Sequence, residues 1–212
     1  MSRVVRKDLA RAIPRKEVAE QAQRAMAWVT MCLEARDGAE AMPALRWLKQ
    51  VAPRLPLVRE ALGAALYLEE RYADALTELQ TYRRFTDAED QNHLIADCLR
   101  ALDRNTERIP GLVEAMQRDD VPLDRRLEGL IVWSSWLADQ GDVGAARAVL
   151  RPALDQHDPG PDVEEHHLRL WYVAADLAER AGDDDGARRW FGRIVDAADG
   201  FYDAEERLES LG

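Results

Sequence analysis

The sequence predicts an all-α protein made of repeated helix pairs, and three observations support this prediction. Apolar residues recur with helical spacing along most of the chain, no stretch alternates as a β-strand does, and one apolar pattern returns five times. In each copy a small or apolar anchor residue is followed by apolar residues four and seven positions later. The anchors are Ala44, Ala75, Ile109, Ala146 and Ala187.

The distances between the anchors are those of stacked helix pairs. Successive anchors lie 31, 34, 37 and 41 residues apart, and repeats made of two helices have about this length. One pair cannot bury its apolar face alone, so we expect neighbouring pairs to stack into a continuous superhelical core. The apolar residues four positions after the anchors are Leu48, Leu79, Val113, Leu150 and Phe191. Those seven positions after the anchors are Val51, Tyr82, Met116, Ala153 and Ile194.

The N-terminal segment, residues 1–14, is a basic arm with a short helix predicted over residues 4–13. Residues 1–16 carry six basic side chains and one acidic one, a net charge of +5, while the rest of the chain carries −16. We expect the arm to dock on the acidic body of its own chain. Contact with an acidic partner, nucleic acid or a membrane surface is the alternative. The basic residues are Arg3, Arg6, Lys7, Arg11, Arg15 and Lys16.

The predicted repeat domain spans residues 15–212. Its first helix covers residues 15–36, and Asp37-Gly38 forms a turn before the second helix. A short, strongly charged helix over residues 202–211 is expected to cap the C-terminal end of the array. The five predicted pairs cover residues 15–52, 57–84, 88–117, 122–154 and 162–197.

Turn residues recur at the same place in several pairs. Gly141-Asp142 and Gly182-Asp183 precede the second helix of the fourth and fifth pairs, and residues 70–72 hold the same place in the second pair. Glycine readily ends a helix, and aspartate caps the next one. The sequence therefore predicts a tight turn inside these pairs.

Over residues 22–197 these patterns resemble the tetratricopeptide repeat, which has Trp, Leu-Gly and Tyr in its first helix and Ala, Phe and Pro in its second. The third copy departs from the pattern because Ile109 replaces the small residue, which implies a longer turn there. The whole chain is also similar to a group of actinobacterial, and so bacterial, tetratricopeptide proteins of uncharacterised function. Matching residues are Leu62-Gly63, Tyr72, Ala75 and Tyr82 in the second copy, and Trp171, Ala178, Ala187, Phe191 and Ile194 in the fifth.

The resemblance implies a right-handed superhelix in which the first helix of each pair lines a concave groove, the usual ligand surface of the family. Helical spacing then nominates the residues on that surface. The polar and aromatic ones are Arg36, Glu60, Tyr67, His93, Asp97, Arg100, Ser135, Arg169, Tyr172 and Asp176, and the apolar ones include Val29 and Ile131.

His93, Asp97 and Arg100 form the most suggestive polar cluster on this surface. They stand at positions i, i+4 and i+7, so they share one face of a helix in the middle of the array. They either bind a ligand or form a satisfied hydrogen-bond network within the chain, and both interpretations stay open. Some family members hold a peptide's terminal carboxylate with Lys and Asn side chains in the groove. No nominated position here is Lys or Asn, so that use is not expected.

The sequence contains no recognisable catalytic, metal-binding or cofactor-binding motif, so we expect neither an enzyme nor a cofactor. The phosphate-binding patterns GxxxxGK[ST] and GxGxxG do not occur. Residues 163–167 contain two adjacent histidines without the HExxH spacing, and we interpret them as a solvated helix start. Residues 183–186 resemble a calcium loop without its downstream glutamate, and we interpret them as a capped turn.

Charge and hydrophobicity limit the partners and the location. The net charge of −11 argues against a nucleic-acid-binding surface over the whole protein, because phosphate binding needs clustered Lys and Arg. The longest largely apolar run, residues 25–33, is too short to cross a bilayer. Cys32 and Cys98 lie in apolar helical stretches and are expected to be buried, reduced thiols. A cytoplasmic protein without membrane contact is therefore expected.

Six tryptophans stand out in a chain with 7% aromatic residues. Trp28, Trp133 and Trp171 are expected to fill inward positions between stacked helices. Trp47 and Trp190 each precede an inward position by one residue and are expected to be partly exposed, while Trp136 stays unassigned. Exposed tryptophans would mark a contact with a partner or a second copy.

These observations favour a non-catalytic scaffold that binds a peptide or a partner protein in the concave groove. The alternative is a sensor or regulatory module whose basic N-terminal arm contacts nucleic acid or another acidic surface. The sequence leaves a homo-oligomer open and does not identify the partner.

Overall fold

The computed structural model describes residues 3–212 and is all-helical there, with twelve α-helices, one 3-10 helix at Thr106–Arg108 and no strand, so the predicted all-α class is confirmed. The helices lie where the pairs and the cap are predicted, and Met1 and Ser2 of the arm lie outside the described residues. The α-helices are α1 Arg3–Ala12, α2 Lys16–Glu34, α3 Gly38–Val51, α4 Pro56–Leu68, α5 Tyr72–Thr86, α6 Asn92–Ala101, α7 Ile109–Met116, α8 Leu123–Asp139, α9 Val143–Gln156, α10 Glu165–Arg180, α11 Asp184–Ala197 and α12 Ala204–Ser210.

The chain divides into two compact units between Arg108 and Ile109. In the first unit each helix from α1 to α6 packs on the next, and in the second unit the same holds from α7 to α12. The predicted third pair is thus shared between the units, with α6 in the first and α7 in the second. Close approach within a pair is visible at Gly63, where a Cβ atom would lie 2.7 Å from the Leu79 side chain.

Four of the five predicted anchors lie in the core, with their apolar followers. The four anchors are fully buried, and a close-packed core accommodates only small or well-fitted side chains at such positions. The buried sets are Ala75, Leu79 and Tyr82; Ile109, Val113 and Met116; Ala146, Leu150 and Ala153; and Ala187, Phe191 and Ile194.

The predicted anchor of the first pair, Ala44, is wrong. Ala44 is only partly buried, and Ala41, Leu45 and Leu48 take the core positions instead. The anchor therefore lies three residues earlier, which places it 34 residues before Ala75, the same distance that separates Ala75 from Ile109.

The caps explain this register. Asp37 caps α3 by accepting a hydrogen bond from the Glu40 N–H at 2.9 Å, and Asp142 caps α9 and Asp183 caps α11 in the same way. Each buried anchor follows its capping aspartate by four residues. Ala41 stands in that position after Asp37, and Ala44 does not.

The turns between paired helices contain residues in the left-handed region. Arg36 and Glu70 each have φ of 57°, and Gly141 and Gly182 hold the same place with φ of 85° and 72°. The third pair has a longer connection, as predicted, because the 3-10 helix lies between α6 and α7.

Helix α1 packs on α2 through apolar residues rather than through its charges. Leu9 and Ile13 are buried, while the basic side chains face solvent. Within residues 3–212, Arg3, Lys7 and Arg11 form no ion pair with an acidic side chain. The expected docking of a basic arm on an acidic body is therefore not what holds α1 in place.

Two smaller expectations concern the cysteines and the membrane. Cys32 and Cys98 are buried free thiols, as predicted, and burial followed by the charge of Asp97 raises the pKa of Cys98 to about 12. Across the described chain, every helix falls short of the length and apolar character needed to cross a bilayer.

Candidate functional site

The predicted mid-array cluster is a hydrogen-bond network inside the first unit. The Tyr67 hydroxyl donates to one oxygen of the buried Asp97 at 2.5 Å, and Arg100 Nε donates to the other at 2.8 Å. Burial, and next the charge of Asp97, raises the pKa of Tyr67, so the phenol stays protonated and donates. His93 lies one turn before Asp97 on α6 and is partly buried. Of the two interpretations, the structure supports the internal network.

Two further groove candidates of the first unit have different surroundings. Glu60 on α4 accepts a hydrogen bond from Gln91 Nε2 at 2.5 Å. Arg36 is not on the predicted helix face at all, because α2 ends at Glu34 and Arg36 occupies the left-handed position of the turn. Val29 is fully buried and cannot line a groove.

In the second unit, Arg169 is committed to a salt bridge. Its Nε lies 2.7 Å from Glu128 Oε1 and its Nη2 lies 2.9 Å from Glu128 Oε2, so the pair is bidentate and joins α10 to α8. Ser135 is partly exposed on α8, and Ile131, also nominated there, is buried.

Tyr172 and Asp176 are engaged by the C-terminal helix. Arg207 of α12 donates to the Tyr172 oxygen at 3.2 Å and to Asp176 Oδ1 at 2.9 Å, and it also bonds Glu179. Burial lowers the pKa of Arg207, but the hydrogen bonds that it donates to Glu179, Tyr172 and Asp176 outweigh this and raise that pKa. The Tyr172 hydroxyl donates to Asp203 at 2.5 Å. The segment that caps the chain thus occupies this part of the predicted surface.

Most polar candidates on the predicted groove are therefore bonded to other residues of the same chain. Ligand binding there stays a prediction, and it would have to compete with these contacts. The bonded candidates are Glu60, Tyr67, Asp97, Arg100, Arg169, Tyr172 and Asp176.

The second unit also contains a cleft, on the side that carries α7 and α9, that is not occupied by side-chain hydrogen bonds of this kind. We call it the aromatic cleft; it has a volume of about 590 Å³ and is predominantly apolar. Trp133 and Trp136 stand one turn apart on α8 and form its largest walls. The Trp136 indole nitrogen is buried and has no hydrogen-bond acceptor in the described part of the chain. The cleft is lined by Pro110, Trp133, Trp136, Leu137, Ala145, Ala148, Val149 and Pro152.

A second cleft lies on the other flank of α9, between α9 and α11. We call it the arginine cleft; it has a volume of about 620 Å³, and Ala174 and Leu177 of α10 also line it. Its polar walls include Arg147, Arg151, Asp155 and Arg189, with Trp190 beside them.

The three arginines of this cleft differ in their contacts. Arg147 is bonded to Asp183, the N-cap of α11. Arg151 and Arg189 form no ion pair within residues 3–212, and the Arg189 guanidinium lies 5.5 Å from the centre of the Trp190 ring. Arg151 and Arg189 thus form no direct ion pair there, although Asp155 lines the same cleft and the charge of Arg189 also acts on Asp183.

Helix α9 forms the ridge between the two clefts. Ala148 and Pro152, one turn apart, line both clefts and are exposed. Pro152 has no N–H, so it cannot make the usual helical bond to the carbonyl of Ala148. The two clefts and this ridge are hereafter the α9 surface.

The histidines near α10 do not form a metal centre. No group of three or more His, Cys, Asp or Glu side chains in residues 3–212 is arranged to hold a metal. The expected solvated helix start is wrong for His167, which is 6% exposed and accepts a hydrogen bond from the Glu164 N–H through Nδ1 at 3.2 Å. Burial lowers the pKa values of His157 and His167. The expected capped turn at residues 183–186 is confirmed by the Asp183 cap.

The tryptophans divide differently from the prediction. Trp171 is 3% exposed and lies in the core as expected, but Trp28 is 45% exposed and Trp133 is partly exposed. The groove expectation includes neither Trp133 nor Trp136. The signals for the α9 surface were the Trp133–Trp136 spacing and a proline inside a helix that also carries Arg147 and Arg151.

Comparison of the chain with protein-family models, with curated proteins and with solved structures gives no match.

Proposed function

We propose that this protein is a non-catalytic scaffold that binds an apolar segment of a partner protein in the aromatic cleft. The observation that carries the proposal is the pair Trp133 and Trp136, which wall an open, predominantly apolar concavity. Both side chains are only partly buried, so a bound apolar segment would remove their exposed apolar surface from water.

The composition of the cleft fits protein recognition better than chemistry. Binding energy at protein interfaces concentrates in a few aromatic and arginine side chains set in desolvated pockets. Tryptophan supplies a large apolar area together with one donor. The lining contains no acid, base or nucleophile, so general acid–base or nucleophilic catalysis has no group to act through there.

This proposal changes the binding surface that the family resemblance implies. Seven of the ten predicted groove residues are bonded within the chain, whereas the α9 surface keeps unbonded groups. We retain as proposals the tetratricopeptide assignment, a right-handed superhelix of about five helix pairs and a cytoplasmic location. Small-angle X-ray scattering tests the superhelix, because a solenoid is more elongated than a globule of equal mass.

The test of function is selection of binding peptides from a random peptide library displayed on phage. We expect selected peptides to share an aromatic or aliphatic residue and to bind Trp133→Ala at least about tenfold more weakly than the wild type. Ala148→Gln, at the exposed rim, should weaken binding without touching the core. The matched control is Trp28→Ala, which removes an exposed tryptophan of α2 and should bind normally.

Three outcomes would contradict the proposal. In the first outcome, the selection enriches no peptide. In the second, the peptides bind Trp133→Ala as tightly as the wild type, and circular dichroism shows that both proteins are folded. In the third outcome, sedimentation finds a dimer that Trp133→Ala dissociates, which would make a second copy of the chain the occupant of the cleft.

The alternative function, a basic module that contacts nucleic acid or another acidic surface, also has a specific observation in its favour. Arg3, Lys7 and Arg11 stand at i, i+4 and i+8 on α1, away from the buried Leu9, and are exposed without ion pairs in residues 3–212. The test is binding of a 20-bp DNA duplex, with Arg3, Lys7 and Arg11 all replaced by Gln. Loss of affinity and a shallower salt dependence would support this function, and equal binding by both proteins would contradict it.

A further inference from the structure

We infer that the arginine cleft binds a carboxylate side chain of the same segment that the aromatic cleft holds. The partner segment then carries an apolar anchor and, a few residues along, one or two Asp or Glu residues. This inference rests on the proposed function and specifies the chemistry of its ligand.

Charge complementarity is the first step. The chain as a whole carries a net charge of −11, yet this cleft is lined by three arginines and one acid, Asp155. Asp183 binds Arg147 and also interacts electrostatically with Arg189. The three arginines therefore outnumber the two acids, Asp155 and Asp183, by one positive charge. Cations that line a concave surface concentrate the local potential, and the planar guanidinium matches a carboxylate with two parallel hydrogen bonds.

The aromatic wall is the second step. Arg189 lies near the face of Trp190, and this contact restricts the Arg189 side chain before any ligand is bound. Arg189 therefore loses less rotamer freedom when it binds a ligand. Arg151 projects from α9 on the opposite side of the same cleft. A carboxylate between the two helices would meet donors from both.

Continuity with the aromatic cleft makes a polypeptide the ligand. Ala148 and Pro152 belong to both clefts, so a chain that crosses α9 passes directly from one to the other. A helix with its side chains is about 10 Å across, and an extended residue spans about 3.3 Å. The anchor and the acid should therefore be about three residues apart.

The experiment uses the peptides selected on the wild-type protein, each also synthesised with its acidic residues replaced by the matching amides. The test variant is the double substitution Arg151→Gln and Arg189→Gln, both at exposed positions. The control variant is Arg3→Gln with Arg11→Gln, which changes the net charge equally but on α1. Affinities are measured by fluorescence anisotropy at two salt concentrations.

We expect the acidic peptides to bind the test variant about tenfold more weakly than the wild type. The amide peptides should bind the wild type and the test variant equally. The affinity lost through the arginine substitutions and the affinity lost through the amide replacements should therefore not add, as a double-mutant cycle requires for a direct contact. The control variant should bind like the wild type. Higher salt should weaken only the acidic peptides.

Several results would overturn the inference while leaving the scaffold proposal intact. One such result is a set of selected peptides that lack acidic residues or need a phosphate instead. Another is binding to the test variant that is as tight as binding to the wild type. Equal weakening by the control variant would show a general effect of net charge. By contrast, normal binding to Trp133→Ala together with weakening by the arginine substitutions would overturn the proposed function and place the ligand in the arginine cleft alone.

Discussion

Two grooves hold the same place in their helix pairs, one between α3 and α5 and the other between α9 and α11, but only the first has a buried acid in its wall. In the first groove, Glu78 is buried and binds both Lys49 Nζ and Arg59 Nη1 at 2.6 Å. In the second, the position three residues after the anchor is Trp190 rather than Glu78. Trp190 supplies no carboxylate, and neither Arg151 nor Arg189 forms an ion pair within residues 3–212. Arg46, which lines the first groove at the position that corresponds to Arg151, forms none there either.

The difference extends to the size of the groove. The groove between α3 and α5 encloses about 240 Å³, whereas the arginine cleft encloses about 620 Å³. The buried acid of the first groove, Glu78, thus has a tryptophan at the corresponding position of the arginine cleft. In a repeat protein each unit repeats the same packing geometry, so such a position can change function without changing the fold.

The largest expected effect comes from removing the acid that closes the first groove. Glu78→Ala should lower the free energy of unfolding by about 3 kcal/mol, because Arg59 is nearly buried and would lose its carboxylate. The matched control is Asp155→Ala in the arginine cleft, which should change stability by less than about 0.5 kcal/mol. Urea denaturation measures both, and equal effects would refute the contrast between the grooves.

The second prediction compares the stability lost when each of two arginines is replaced by alanine. Arg207→Ala should lower the free energy of unfolding by about 2 kcal/mol, because Asp176 and Glu179 would lose their shared donor. Arg151→Ala should be close to neutral in stability, since Arg151 is exposed. If Arg151→Ala destabilises as much as Arg207→Ala does, the cleft arginine is structural and not available to a ligand.

The fold was largely predictable because its signal is local. Each anchor and the apolar residues four and seven positions after it mark the buried side of a helix, and four of the five pairs follow this pattern. The first pair failed because Ala44, Leu48 and Val51 fit the spacing as well as Ala41, Leu45 and Leu48 do. The cap at Asp37 distinguishes the two registers, since the anchor follows the cap by four residues in α9 and α11 as well.

The site was less predictable because its bonds join residues far apart in sequence. Arg207 meets Asp176 across 31 residues, and Lys49 meets Glu78 across 29. Helical spacing places a side chain on a face but does not show which distant group already binds it. The exposure of Trp133 was missed for a related reason: neighbours on both sides of α8 decide its burial.

A third effect is the pH dependence of the stability that Glu78 contributes in the first groove. Burial of the Glu78 carboxyl raises its pKa, but the hydrogen bonds and charges of Lys49 and Arg59 outweigh this and hold the pKa below the ordinary value of 4.5. A lowered carboxyl pKa stabilises the folded state above the ordinary value, and that stability is lost as the pH falls through the folded pKa. The stability difference between wild type and Glu78→Gln should thus be complete above pH 4.5 and shrink below it. A difference that stays constant on acidification would contradict the assignment.

The smallest expected effect concerns the turns, where the two units differ again. Arg36 and Glu70 hold a left-handed conformation in the first unit, and Gly141 and Gly182 hold the same place in the second. Side chains are strained in that region and glycine is not, although glycine also gains more freedom in the unfolded chain. We expect Arg36→Gly and Glu70→Gly each to raise the free energy of unfolding by about 0.5 kcal/mol, and Gly141→Ala to lower it by about 1 kcal/mol. Thermal and urea melts of the three variants measure these changes. Destabilisation by both glycine substitutions would mean that contacts of the Arg36 and Glu70 side chains outweigh the backbone strain, and that the turns of the two units are held by different forces.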